Sequence, residues 1–134
     1  MEFPGSKNIA NQFAAVQQLR TRKGNPGRYL DHKFFSFTKD GERLIRENNL
    51  DIDEIAREMA YDFYEIDHCQ VTYNVHCPPG ENGRLHIHFS INATNFVAGH
   101  KRRENMRQIQ KRELRFNKIA VDAIYKAEES RKSV

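Results

Sequence analysis

The sequence predicts an α+β fold in which helices pack on one face of an antiparallel β-sheet, and three observations favour it. Residues 85–92 alternate strictly between apolar and polar side chains, as a strand with one buried face does. Residues 68–76 alternate in the same way and precede them across a loop rich in proline and glycine, which predicts an antiparallel hairpin. Between residues 52 and 63, apolar side chains recur at helical spacing, which predicts a helix that lies on the sheet.

The N-terminal third is predicted to contain one helix and one strand. The helix spans residues 8–22, because three apolar residues share one of its faces: Ile9, Phe13 and Val16. A turn follows at residues 24–27, where glycine, asparagine and proline cluster. The next stretch, residues 29–38, is rich in aromatic residues. We interpret it as a strand that carries His32, Phe34 and Ser36 on one face.

The remaining elements are a central helix and a long final helix. Residues 39–41 break the first strand, and a polar connection with at most a short helical turn follows. Asp51 and Glu54 have the spacing of a capping box, so the central helix begins there, and its acidic residues are expected to face water. A final helix is predicted over residues 103–125. We expect a single domain over residues 1–134, with a disordered tail at 128–134.

The formal net charge of +4 is modest but unevenly distributed. Basic residues dominate from residue 101 onward, whereas residues 47–67 are mainly acidic. This asymmetry favours a polyanionic partner, with nucleic acid first, although a solvated helix face produces the same pattern. The basic residues that we expect to contact DNA are Arg102, Arg103, Arg107, Lys111 and Arg115.

Three histidines are expected to converge at one end of the hairpin. His76 leaves the second strand on the polar face, where His86 and His88 enter the third. Neutral imidazoles are common ligands of divalent metals, and three of them leave positions open for water or substrate, as a catalytic site requires. A His-X-His pair on an exposed strand is often accidental, but the third histidine favours a metal site. His32 and Asn92 share this face and are available to orient the ligand rings.

The chain contains two cysteines, Cys69 and Cys77. No secretory segment follows Met1, and no apolar run is long enough to cross a membrane. We therefore expect free thiols, a cytoplasmic protein and no membrane partner. Cys77 is a soft ligand that would favour zinc at the histidines, but strand alternation points it away from His76.

The histidine pattern resembles the HUH motif of plasmid and transposon relaxases, the mobilisation nucleases. In this motif two histidines flank a bulky apolar residue, as in residues 86–88, and an asparagine follows four residues later, as Asn92 does. Weaker similarities flank the motif. Residues 95–101 resemble an Asn-Phe…Gly-Lys segment of the family, and residues 27–37 resemble a family strand that carries a histidine and ends in Ser-Phe. The resemblance covers roughly residues 8–125.

The resemblance implies a palm-like HUH nuclease sheet, of which three strands are visible here and the family's first strand is absent. It implies that His76, His86 and His88 hold a divalent ion, magnesium or manganese first and zinc as an alternative. The implied activity is nicking of single-stranded DNA at a plasmid or transposon transfer origin by tyrosine transesterification. Other mobilisation proteins are implied as partners.

The nucleophile is the main departure from the family pattern, because the relaxase tyrosine lies near the N-terminus and this chain has none before Tyr29. Tyr125, on the final helix, lies where the replication-initiator branch of HUH nucleases keeps its nucleophile, so we expect it to be the catalytic residue. Pro78 also stands where many family members carry an aspartate. Two alternatives remain open: a non-catalytic DNA-binding or accessory module with a relic metal site, and a DNA-independent metalloprotein such as a small hydrolase.

Overall fold

The computed structural model describes residues 9–18, 28–77 and 84–132, and within them a three-stranded sheet and four helices. The elements in chain order are α1 (Ile9–Gln17), β1 (Leu30–Ser36), α2 (Lys39–Glu47), α3 (Ile52–Asp67), β2 (Val71–His76), β3 (His86–Asn92) and α4 (Met106–Lys132). The predicted antiparallel α+β class is confirmed. The predicted turn at 24–27 and the loop at 78–83 lie outside the described residues.

β3 is the central strand, and both neighbours pair with it antiparallel in the order β1–β3–β2. Because side chains alternate along a strand, β3 buries Ile87 and Phe89 completely on one face and turns His86 and His88 to the other. We call this second side the open face of the sheet. Its side chains are Leu30, His32, Phe34, Ser36, Thr72, Asn74, His76, His86, His88 and Ser90.

Helices α3 and α4 cover the apolar face of the sheet. Met59 and Phe63 of α3 are buried against it, and Phe116 of α4 places its ring 5.6 Å from the ring of Phe89. Burying each such side chain contributes about 1.5–3 kcal/mol relative to leaving it in water. The sheet therefore packs under two helices on one side, and the histidines lie on the other side.

Helix α2 is longer than the short turn expected from the sequence. Thr38 caps its N-terminus, and the threonine hydroxyl accepts a hydrogen bond from the backbone N–H of Gly41 at 3.0 Å. Residues 39–41, interpreted as a strand breaker, are thus the first turn of a helix, and β1 ends at Ser36. The predicted start of α3 is confirmed, because Asp51 caps that helix.

Two further boundaries differ from the expectation. His68 adopts the left-handed conformation, with φ of 54°, and ends α3, so β2 begins at Val71 rather than at residue 68. Helix α4 continues to Lys132, so residues 128–132 of the expected disordered tail are helical. In the part of the chain that the structure describes, no helix combines the length and apolarity needed to cross a bilayer.

Candidate metal centre

Three histidines meet at one end of the open face. His76 on β2 is the direct partner of His86 on β3, and His88 follows two residues further along β3. The ring centroids of His76 and His86 are 4.6 Å apart, and those of His86 and His88 are 4.7 Å apart. The two strands therefore bring together three imidazoles on the face of the sheet opposite to α3 and α4.

One nitrogen from each of these rings lies within 4.8 Å of the other two. Nitrogens bound to one ion at ~2.0–2.1 Å stand about 3–3.4 Å apart, so the rings need to close by less than about 2 Å. Small side-chain rotations provide a movement of that size. The donor chemistry fits as well, because imidazole suits zinc and other transition ions better than magnesium. The cluster can therefore hold a divalent ion with three neutral donors.

Hydrogen bonds orient two of the three rings. Nδ1 of His86 lies 2.8 Å from the carbonyl oxygen of Arg84. Because a carbonyl only accepts, His86 donates from Nδ1 and keeps a lone pair on Nε2. Nδ1 of His88 lies 3.1 Å from Nε2 of His32 on β1. A His88 that donates from Nδ1 to His32 likewise keeps Nε2 free for a ligand.

The surroundings of His88 favour its neutral form. Partial burial lowers the pKa of its imidazole below the ordinary value of 6.5, and the neighbouring rings of His86, His32 and His76 lower that pKa further. Each additional positive charge in the cluster would repel the next. At pH 7 the ring of His88 is therefore neutral, which is the state in which imidazole binds a metal.

Asn92 lies on the same side of β3 as the histidines but makes other contacts. Its buried side chain donates from Nδ2 to the carbonyl oxygen of Phe13 at 3.0 Å and to Oε1 of Gln70 at 2.8 Å. Its Oδ1 accepts from Nε2 of Gln17 at 3.2 Å. Four residues of strand, or ~13 Å, separate it from His88. The Asn92 side chain therefore attaches α1 to the far end of the sheet and does not reach the histidine rings.

Arg102, which we expected to contact DNA, is buried inside the protein. Its side chain is 3% exposed, and its guanidinium pairs with Asp31 at 2.7 Å, Asp67 at 2.8 Å and Glu104 at 3.2 Å. Burial by itself would lower the pKa of Arg102, but hydrogen bonds to Asp31 and Asp67 outweigh it and raise the pKa. Arg102 is therefore a charged interior residue that joins β1, α3 and the segment before α4.

A second buried arginine, Arg112, extends this cluster, and its role was not apparent from the sequence. Arg112 pairs with Asp62 at 2.8 Å and Asp67 at 2.7 Å, and its guanidinium carbon lies 4.3 Å from the ring centroid of Phe63. Arg115, another expected DNA contact, also pairs with Asp62. The expectation that the acids of α3 face water is wrong for Asp62, whose side chain is 7% exposed. The acidic residues 47–67 and the basic residues from 101 onward were the sequence signal from which ion pairs between these two segments could have been predicted.

Three of the expected DNA-binding residues, Arg103, Arg107 and Lys111, are exposed and form no ion pair with other described residues. Arg107 and Lys111 lie on α4, which packs on the apolar face, so they stand on the opposite side of the sheet from the histidines. Arg84 is also exposed and lies two residues before His86. The alternating pattern of residues 85–92, continued back by one residue, places Arg84 toward the open face. That pattern is the sequence signal that could have identified Arg84 as a basic residue on the histidine side.

None of the five tyrosines of the chain lies with the histidine cluster. Tyr61 and Tyr64 are on α3, and Tyr73 packs against the core on the apolar side of β2. Tyr29 precedes β1 at the end of the sheet farthest from His86. Tyr125 is 64% exposed on α4, in the helical layer behind the sheet. The structure thus brings the three histidines together and does not bring Tyr125 to them.

Comparison with protein families matches residues 3–123 to the family described as Relaxase: MobA/VirD2-like, nuclease domain. The matched span contains all three strands and the whole histidine cluster, and it ends before Tyr125. No curated protein and no solved structure matches the chain significantly.

Proposed function

Because the chain belongs to the relaxase family, we propose that it binds single-stranded DNA on the open face of its sheet and a divalent metal ion at His76, His86 and His88. The observation that carries the proposal is the approach of three ring nitrogens within 4.8 Å of one another. We place the DNA at a plasmid or transposon transfer origin and the protein in the cytoplasm, with other mobilisation proteins as partners.

The chain's own residues prepare the site for a phosphodiester. A bound divalent ion would supply positive charge to a scissile phosphate. His76, His86 and His88 would hold that ion from one side and leave the side toward the DNA free. The carbonyl of Arg84 and the ring of His32 orient His86 and His88, so the site needs only the small ring rotations that close the three nitrogens on an ion.

Exposed arginines on the histidine side would hold the DNA backbone. Arg84 is the described arginine nearest in sequence to the cluster and is exposed, whereas Arg107 and Lys111 would meet only DNA that passes around the sheet. Arg84→Met should lower the salt slope of single-stranded DNA binding by about 0.7 per lost phosphate contact. Arg107→Met is the matched control and should leave the slope unchanged. If Arg107→Met lowers the slope and Arg84→Met does not, the DNA binds along α4 and not on the open face.

Nicking by transesterification requires a tyrosine hydroxyl that attacks the phosphorus while the 3′ oxygen leaves. Tyr125 would have to come from the helical layer on the other side of the sheet to do so. We therefore propose that the isolated domain binds metal and DNA, and that it nicks only where a tyrosine is brought to the open face. The position of the tyrosines is also the observation that favours the second function, a non-catalytic DNA-binding module.

One experiment separates these functions. The protein is incubated with single-stranded origin DNA and manganese, and covalent products are resolved under denaturing conditions, with His86→Ala and Tyr125→Phe as variants. An adduct that both variants abolish would establish nicking by Tyr125. Manganese-dependent DNA binding without an adduct supports the metal and DNA-binding proposal. If neither EDTA nor His86→Ala changes DNA binding, the non-catalytic DNA-binding module is the function that remains. Absence of DNA binding at low salt refutes every DNA-based function.

A further inference from the structure

Phe34 is an exposed aromatic residue beside the histidine cluster. The residue is 68% exposed and lies on the open face, and its direct partner across the β1–β3 ladder is His88. The ring centroids of Phe34 and His88 are 6.2 Å apart. The other β1 residues near the cluster on this face, His32 and Ser36, are polar, so Phe34 is an apolar ring on a polar surface.

Core packing does not account for this side chain. The neighbouring Phe35 points to the opposite face, where its ring lies 5.1 Å from that of Phe37 and 5.9 Å from that of Phe116. Within residues 9–18, 28–77 and 84–132, the ring contact of Phe34 is with His88 and not with a phenyl ring of the core, and most of its surface remains in water. Leaving a phenyl ring exposed forgoes the stabilisation that its burial would bring. A ligand that covers the ring would recover that stabilisation.

We propose, on the basis of the DNA-binding function above, that Phe34 is a stacking platform for an unpaired nucleobase whose phosphate lies at the histidine cluster. A single nucleotide spans a separation such as that between the Phe34 and His88 rings. Every base has a π-face, so stacking on a phenyl ring binds single strands with little regard to sequence. Bases in a duplex are already stacked, so this contact also selects single-stranded over double-stranded DNA.

The surface beside Phe34 has room for the rest of the nucleotide. A polar cavity of about 400 Å³ opens on the same face, and the open-face residues that line it are His32, Thr72, Asn74, His88 and Ser90. Hydroxyl, amide and imidazole groups such as these can donate to and accept from the edge of a base. Phe34 would thus hold the base by its π-face while the cavity accommodates the neighbouring part of the strand.

The test measures affinity without cleavage. Binding of an oligothymidylate of about 12 nucleotides, which carries no transfer-origin sequence, is followed by fluorescence anisotropy in the presence of manganese, in parallel with a fully abasic strand of the same length. The variants are Phe34→Leu, which keeps apolar volume but removes the π-face, and Phe34→Tyr, which keeps the ring. Leu114→Ala is the control for loss of an exposed apolar side chain, because Leu114 is also 68% exposed but lies on α4.

Phe34→Leu should weaken binding of the oligothymidylate about tenfold and leave binding of the abasic strand unchanged. Phe34→Tyr and Leu114→Ala should match the wild type on both ligands, and circular dichroism should show all variants folded. Equal loss on both strands, or no loss at all, would overturn the stacking role while the DNA-binding function stands. A wild-type protein that binds neither strand at low salt would refute both proposals together.

Discussion

Replacing Arg102 by methionine is expected to lower the free energy of unfolding by about 2–3 kcal/mol. Methionine adapts to irregular interior spaces without a charge, so the change isolates the ion pairs of the arginine. Arg102 pairs with Asp31, Asp67 and Glu104 at 2.7 to 3.2 Å from an almost fully buried position. Removing one partner of a buried pair costs about 3–5 kcal/mol when the other charge is left alone.

The structure places the expected loss below that range, since each remaining carboxylate keeps another cation. Asp31 keeps Arg28, while Asp67 and Glu104 keep Arg112. At about 4 °C per kcal/mol for a domain of this size, Tm should fall by ~8–12 °C.

Urea titration followed by circular dichroism measures the effect, with Arg103→Met as the matched control. Arg103 is the exposed neighbour and has no ion pair among the described residues, so its replacement should change stability by less than about 0.5 kcal/mol. The slope of stability against urea should be the same in all three proteins. Equal stability of the two variants, or a folded Arg102→Met protein that has lost DNA affinity, would refute the interior assignment of Arg102.

Three further predictions concern other parts of the molecule. Asn92→Ala should lower stability by about 1–3 kcal/mol and accelerate amide exchange in α1 above all; uniform acceleration across the domain would contradict the tethering role. Burial alone would raise the pKa of Asp31, but the hydrogen bonds and charges of Arg102 and Arg28 together outweigh it and hold that pKa below 3.8. As the pH falls, the Asp31 carboxylate is therefore protonated in the unfolded chain before it is protonated in the folded protein. Stability should be constant near neutral pH and fall as the pH drops below about 4. A Tm that stays constant below pH ~4 in thermal melts would contradict this. At pH near 8 a maleimide should label the exposed Cys77 and spare Cys69, because burial raises the pKa of the Cys69 thiol to about 12. Mass spectrometry of the native protein checks this, and rapid labelling of Cys69 would show that its burial is wrong.

Strand alternation was sufficient to predict which side chains share the open face. His32, His86 and His88 lie on one side because side-chain direction repeats every two residues, whatever surrounds the strand. The same reasoning placed His76 on that face, at the end of the hairpin where His86 and His88 lie. The pairing of the two strands in the structure sets it directly opposite His86.

The ends of elements were harder to predict. Residues 39–41 are of types that occur both where a strand ends in a turn and where a helix begins. The backbone N–H of Gly41 donates a hydrogen bond to the hydroxyl of Thr38, and this cap makes them the start of a helix. Asn92 shows what strand alternation cannot predict. The face of the sheet on which it lies was predicted correctly, but its burial depends on the docking of α1, which it contacts through Phe13 and Gln17.

The sequence by itself determined the α+β class, the faces of the strands and therefore the set of histidines that can share one ion. Only the tertiary structure decided which charges are available to DNA and where the tyrosines lie. Arg102 forms an ion pair with Asp31, which is 71 residues away in the sequence. Because α4 packs on the apolar face, Tyr125 lies on the opposite side of the sheet from the histidines. Local covalent geometry sets the direction of a side chain on a strand, but packing between distant segments decides whether a charged or reactive group meets solvent, a salt-bridge partner or the site.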